Sequence, residues 1–208
     1  MYAIITDGSI SKYVNYPKPL VIGDVQYPAR IFSAWTASEL AAIGIIEVTF
    51  DNSNKKDEQW YTNTNQTYTY DASAGTVTAA YGTATAKAHA DTTWSQQDSD
   101  DGDLPSDKSV GDVKVEGLKT KLIRTIKQQA AGILQDTDWY VVRKADAGTA
   151  VPSSITTHRA AVRTKAAEME TAITNASDTP ALETLYTYTK QEDGSVTRPL
   201  GELPELES

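Results

Sequence analysis

The spacing of apolar residues changes character along this 208-residue chain, and that change limits the fold more than any other feature. Between residues 117 and 176, Leu118, Leu122, Ile126, Ala130 and Ile133-Leu134 recur every three or four positions. Ile155, Val162, Ala166, Met169 and Ile173 form a second stripe, opened by Pro152-Ser153-Ser154. Apolar residues at that spacing line one face of a helix, and proline belongs in a first turn because its missing N–H has no partner there anyway. Two amphipathic helices are therefore predicted. Between them, Thr137 is placed to cap a short helix that ends at Gly148. Trp139 and Val142 are expected to face inward and wedge between the long helices as an aromatic plug.

Residues 1–86 follow a strand-and-turn pattern. Tyr2–Thr6 is a short apolar run closed by Asp7-Gly8, and Pro17 and Pro19 confine the stretch from Lys12 to Ile22 to an edge or extended role. Trp35–Gly44 is a compact helix signature, with Thr36 and Glu39 forming a capping box and Gly44 at the left-handed end. Ile45–Phe50 reads as a strand. Trp60–Tyr70 and Thr76–Tyr81 read as hairpin arms around Asp71–Gly75. Threonine occurs 27 times, much of it in Thr-x-Thr alternation over 62–93. β-branched residues suit pleated strands, so a polar sheet face is expected, with strand pairing to another chain as the sharper alternative.

Charge divides the chain further. Residues 1–86 are net −3, 87–116 are net −5, 117–176 are net +4 and 177–208 are net −5, within an overall −9. The 87–116 segment has little to bury and reads as an acidic linker. It also invites a calcium reading, but with Gly102 at position 6 of an EF-hand loop, positions 1 and 12 fall on Gln97 and Lys108. The pattern fails. After residue 177, Gln191-Glu192-Asp193-Gly194 between β-prone arms (Leu182–Lys190 and Ser195–Leu200) predicts a terminal hairpin, followed by an acidic tail. The expected class is α+β. It comprises a small N-terminal α+β domain (1–86), an acidic linker (87–116), a helical hairpin module (117–176), and a β-hairpin with its tail (177–208).

The same residues argue against most chemistry. With no Cys, disulfides, thiolate catalysis and Cys-ligated zinc are excluded, and two distant histidines, His89 and His158, make a poor metal site. His158 is expected on the polar flank of its helix. No Gly-x-Ser-x-Gly elbow or phosphate-binding loop occurs. Carboxylates are plentiful, but acid–base catalysis needs a pair with one member raised in an apolar cleft, and no pair sits in an apolar stretch. The reading is no enzyme, no catalytic residue, no metal and no cofactor. Net negative charge opposes nucleic acid and anionic membrane. No apolar run approaches the roughly 20 residues of a membrane span, and the first residues lack the pattern of a signal peptide. Lys119, Lys121, Arg124 and Lys127 form a basic face on the first long helix. Trp35 and Trp94 are further interaction candidates, Trp94 as an exposed anchor in the polar linker.

Leu134-Gln135-Asp136-Thr137-Asp138-Trp139-Tyr140-Val141-Val142-Arg143, then Val151-Pro152, then Arg159 and Arg163, resembles the C-terminal module of tail-associated proteins of tailed bacteriophages. Tail-fibre assembly proteins and tail or baseplate proteins carry this Leu–Thr-Asp-Trp–Arg–Pro–Arg pattern. Trp35-Thr36-x-x-Glu39-Leu40 with Ile43-Gly44-Ile45 is similar to proteins encoded among phage tail genes. The two stretches span about half the chain. The resemblance implies a virion part of the tail region, made in the host cytoplasm. It would act as a structural or adaptor subunit at the baseplate or tail fibre, in a homo- or hetero-oligomeric assembly with other tail subunits. The alternative is a non-virion chaperone of tail-fibre assembly, although the long acidic segment and terminal β-hairpin depart from that type. No catalytic residue is implied. Trp139 is expected to lock the helical corner, supported by Arg143, Arg159 and Arg163 through contacts to Asp136, Asp138 or backbone carbonyls.

Overall fold

The structure, a computed structural model, describes residues 1–206 and is of the α+β class, with a helical segment and a terminal hairpin. The chain divides into two compact units at Thr85/Ala86. In the first unit β1 (Tyr2–Thr6) and β2 (Ser9–Val14) pair antiparallel around Asp7-Gly8, both with positive φ. That is the twist a two-residue hairpin turn requires. Past the prolines, β3 (Leu20–Ile22) and β4 (Val25–Tyr27) make a second small hairpin. Then come α1 (Ile31–Ala34), α2 (Ala37–Ala42), β5 (Ile45–Asp51), β6 (Tyr61–Thr62), β7 (Gln66–Asp71), β8 (Thr76–Tyr81) and β9 (Thr85–Ala86).

The main sheet has the order β2-β1-β5-β8-β7 and is antiparallel except for the β5–β8 pair. Successive side chains of a strand point to opposite faces, and here both faces carry a core. On one side Ile4, Val14, Leu20 and Ile45 pack with Ile31 and Phe32 of α1 and Leu40 of α2. On the other, Ala3, Val48, Val77 and Ala79 pack with Met1, Tyr68 and Tyr70. Thr67 and Thr69 alternate with those tyrosines and are exposed, so the threonine pattern makes a polar sheet face. The outer strands β2 and β7 approach each other through Tyr13 and Tyr68, whose rings lie 4.8 Å apart.

The capping box of α2 forms as its sequence predicts. The Thr36 N–H donates to Glu39 at 2.7 Å, and the Glu39 N–H donates back to the Thr36 hydroxyl at 3.3 Å. Gly44 then has φ +80° and passes so close to β1 that a Cβ there would stand 2.7 Å from the Ile5 carbonyl oxygen. Glycine is required at that crossing on both counts.

The second unit begins where an acidic linker was expected, and that segment carries strands and a short helix. β10 (Thr92–Thr93) pairs with β11 (Val113–Val115), and α3 (Gln96–Asp100) sits between them under a Ser95/Asp98 capping box. Local polar contacts replace a hydrophobic core here. Lys114 pairs with Asp98 and lies 4.4 Å from the Trp94 ring centre. Then follow α4 (Leu118–Gln135), α5 (Asp138–Ala147), α6 (Ser153–Asn175), α7 (Thr179–Tyr186), β12 (Thr189–Lys190) and β13 (Val196–Thr197). Lys119 of α4 reaches the Thr174 carbonyl, Lys127 reaches Glu170, and Arg159 reaches the Leu134 carbonyl. The start of α4 therefore lies beside the end of α6, so the two run antiparallel. Ile126 and Ala130 of α4 are buried, as are Ile155, Val162, Ala166, Met169 and Ile173 of α6, all of them residues the stripes nominate.

Two expectations need correction. The arm 182–190 is not a strand along its length. Asp178 caps α7 by accepting from the Ala181 N–H at 2.8 Å, Pro180 occupies the first turn, and Leu182 is fully buried, so helix wins until Tyr186. The Asp193-Gly194 hairpin survives as the two-residue ladder β12–β13. His158, expected on a polar flank, is buried.

Candidate interaction site at the helical corner

The last carbonyls of a helix lack intrahelical donors, and α4 ends at such a point. Thr137, the residue before α5, is buried, and its hydroxyl donates to the Leu134 carbonyl at 3.0 Å. Arg159, 25 residues beyond Leu134 and 9% exposed, completes the arrangement from α6. It donates to the Leu134 carbonyl at 2.7 Å, the Thr137 hydroxyl at 2.6 Å and the Asp138 carboxylate at 2.8 Å. A planar guanidinium with five donors suits three acceptors in fixed directions. Asp138 sits in the first turn of α5, where a negative charge also complements the helix dipole. One arginine thus ends α4, starts α5 and ties both to α6. Arg163, one turn on, donates more weakly to the Arg159 carbonyl at 3.4 Å.

This latch occupies the place assigned to the tryptophan plug, and Trp139 points outward instead. Trp139 is 51% exposed, Val141 45% and Val142 65%, and no residue of α5 is buried. The Trp139 and Tyr140 ring centres lie 3.8 Å apart. Arg143 lies across both, 4.6 Å from Trp139 and 5.4 Å from Tyr140. It therefore makes a cation–π cover, in place of the expected contacts to Asp136 or Asp138. Thr137 and Asp138 are taken up by Arg159, while Arg143 stacks on Trp139 one helical turn away, at i+4. The Arg143 Nε is buried with no hydrogen-bond partner.

The remaining candidates lie apart from this corner. Trp94 is half-buried under Lys114 and its backbone is tied to Gly111 and Asp112, so it is not the free anchor expected of a linker. Trp35, in the first unit, is 36% exposed and meets Tyr27 edge-on at 5.9 Å. Spacing hid one further residue. The Asp91 carboxylate accepts from the Gly117 N–H at 2.7 Å and the Thr120 hydroxyl at 2.8 Å, capping α4 from 26 residues away. Those two hydrogen bonds, with help from Arg124 and Lys121, hold its carboxyl below the usual aspartate range. The Lys114 and Ser95 contacts hold Asp98 well below it.

Among the described residues, no group of three or more His, Cys, Asp or Glu side chains is placed to hold a metal ion, and no helix is long and apolar enough to cross a membrane. No protein-family model, curated protein or solved structure matches the chain.

Proposed function

We propose that this chain is a structural or adaptor subunit of the tail region of a tailed bacteriophage, joining baseplate or tail-fibre components by protein–protein contact. One observation carries the reading. The residues of the phage-like pattern, scattered over 134–163, converge on a single corner. There Leu134, Thr137, Asp138 and Arg159 are locked together while Trp139, Val141 and Val142 are exposed, with the half-buried Tyr140 and Arg143 stacked beside Trp139. Tryptophan, tyrosine and arginine are the side chains that dominate binding energy at protein interfaces. A helix that buries nothing of its own surrenders little stability when a partner covers it.

Mass spectrometry of purified particles tests this directly. A tail subunit appears there at a fixed copy number. A fibre-assembly chaperone, which would use the same displayed surface transiently, is missing from particles and co-purifies with fibre protein from infected cells. Absence from both overturns both readings. Trp139→Ala with Val142→Asp removes the partner in either case while leaving the helical circular dichroism of the chain intact.

A further inference from the structure

A second surface, in the first unit and independent of the reading above, has the features of a small binding site. Tyr2 of β1 and Glu47 of β5 are direct partners across an antiparallel ladder, as are Ile4 and Ile45. Partners in register stand on the same face of a sheet, here the face that α1 and α2 cover. The cover is incomplete. Tyr2, Phe32, Trp35, Leu40, Ile45 and Glu47 surround a cavity of about 130 Å³. Phe32, Leu40 and Ile45 are buried and make its floor. The Tyr2 and Phe32 rings are tilted at 46° with centres 4.8 Å apart, and Trp35 is braced from behind by Tyr27. Glu47 is exposed, and no cationic side chain of the protein pairs with it among the described residues.

Three aromatic rings around an apolar floor, with one unpaired carboxylate, are complementary to a cation that brings its own hydrocarbon stem. Ring faces attract a positive charge through their quadrupole, the carboxylate adds direct attraction, and the floor takes methylenes. At roughly 30 Å³ per water the space corresponds to about four waters, enough for the end of an alkyl chain. The geometry points to a site for a primary alkylammonium group, presented by a lysine side chain of another protein or by a free amine. The protein's own arrangement supports the choice of charge. It already places cations over rings at Lys56–Tyr61, Lys114–Trp94 and Arg143–Trp139, whereas at this cavity the rings and the acid are present and the cation is not.

The experiment is a titration of the full chain followed by ¹H–¹⁵N NMR at the Trp35 indole, assigned with Trp35→Phe. The probes are n-butylamine at pH 7, N-acetyl-lysinamide, and n-butanol as the uncharged control. Saturable shifts at the Trp35 indole with n-butylamine, not reproduced by n-butanol, are expected. Glu47→Gln should weaken them about fivefold with an unchanged thermal melt. If N-acetyl-lysinamide binds as well as n-butylamine or better, the source is a lysine side chain; if only the free amine binds, it is a small molecule. Equal response to n-butanol, no saturation by any probe, or indifference to Glu47→Gln overturns the site.

Discussion

Arg159 and Trp139 are neighbours in the same corner with opposite roles, and their substitution separates the two. Removing Arg159 takes three hydrogen bonds from the corner, although the Leu134 carbonyl keeps the Thr137 N–H and hydroxyl as donors. A hydrogen bond to a charged group contributes about 1.5–3 kcal/mol, so Arg159→Met should lower the unfolding free energy of the second unit by roughly 2 kcal/mol. Arg159→Lys should rescue little, because one ammonium cannot serve three acceptors in the fork geometry. Urea unfolding followed by circular dichroism at 222 nm checks both. Trp139→Ala, by contrast, should cost under about 1 kcal/mol, as surface substitutions usually do, against about 3–5 kcal/mol for a buried plug. Its exposure was not legible in the pattern. Trp139 and Val142 share a face, but nothing in their spacing says which neighbour that face meets.

At the level of the element, local signals were readable and remote ones were not. The Thr36/Glu39 box, the Asp193-Gly194 turn and Gly148 (φ +69°) concern residues within a few positions of one another, and each is found where its chemistry belongs. The cap of α4 is different. Asp91 and Gly117 are brought together by the β10–β11 ribbon, and no window along the chain contains both. Gly117 is tight against the Ala90 backbone, with the His89 carbonyl oxygen 2.8 Å from where a Cβ would stand, so the approach of Asp91 depends on that glycine. A pH dependence follows. The folded pKa of Asp91 lies below its unfolded value of about 3.9, so its contribution is complete above that pH and is lost as pH falls through the folded pKa. Asp98 adds in the same direction. The second unit should lose stability progressively below about pH 4, and Asp91→Asn should flatten that slope while lowering stability at pH 7. Thermal melts of the two proteins between pH 2.5 and 7 measure it. α5, with no buried residue, should open more readily than α6. Hydrogen exchange should show amides 142–147 unprotected while those of 162–173 persist.

For the whole molecule, the division at Thr85/Ala86 separates two sets of buried residues. One lies on the two faces of the sheet, and the other lies between α4, α6 and α7. Each unit has a core of its own, as an independently folding domain requires. Residues 86–208 expressed alone should therefore give a cooperative thermal transition with helical circular dichroism; a non-cooperative melt would show that this core is insufficient. The amino-acid order by itself settled the class, α+β, because a 3.6-residue period and a two-residue alternation are properties of neighbours along the chain. It also nominated the apolar residues that α4 and α6 bury, but not the buried His158 and Arg159. Only the tertiary structure decided that the acidic segment folds, that Asp91 caps α4, that Arg159 takes the corner, and that Trp139 is left outside it. Those outcomes depend on groups tens of residues apart competing for the same space and the same hydrogen bonds, a competition resolved only when the chain has closed on itself.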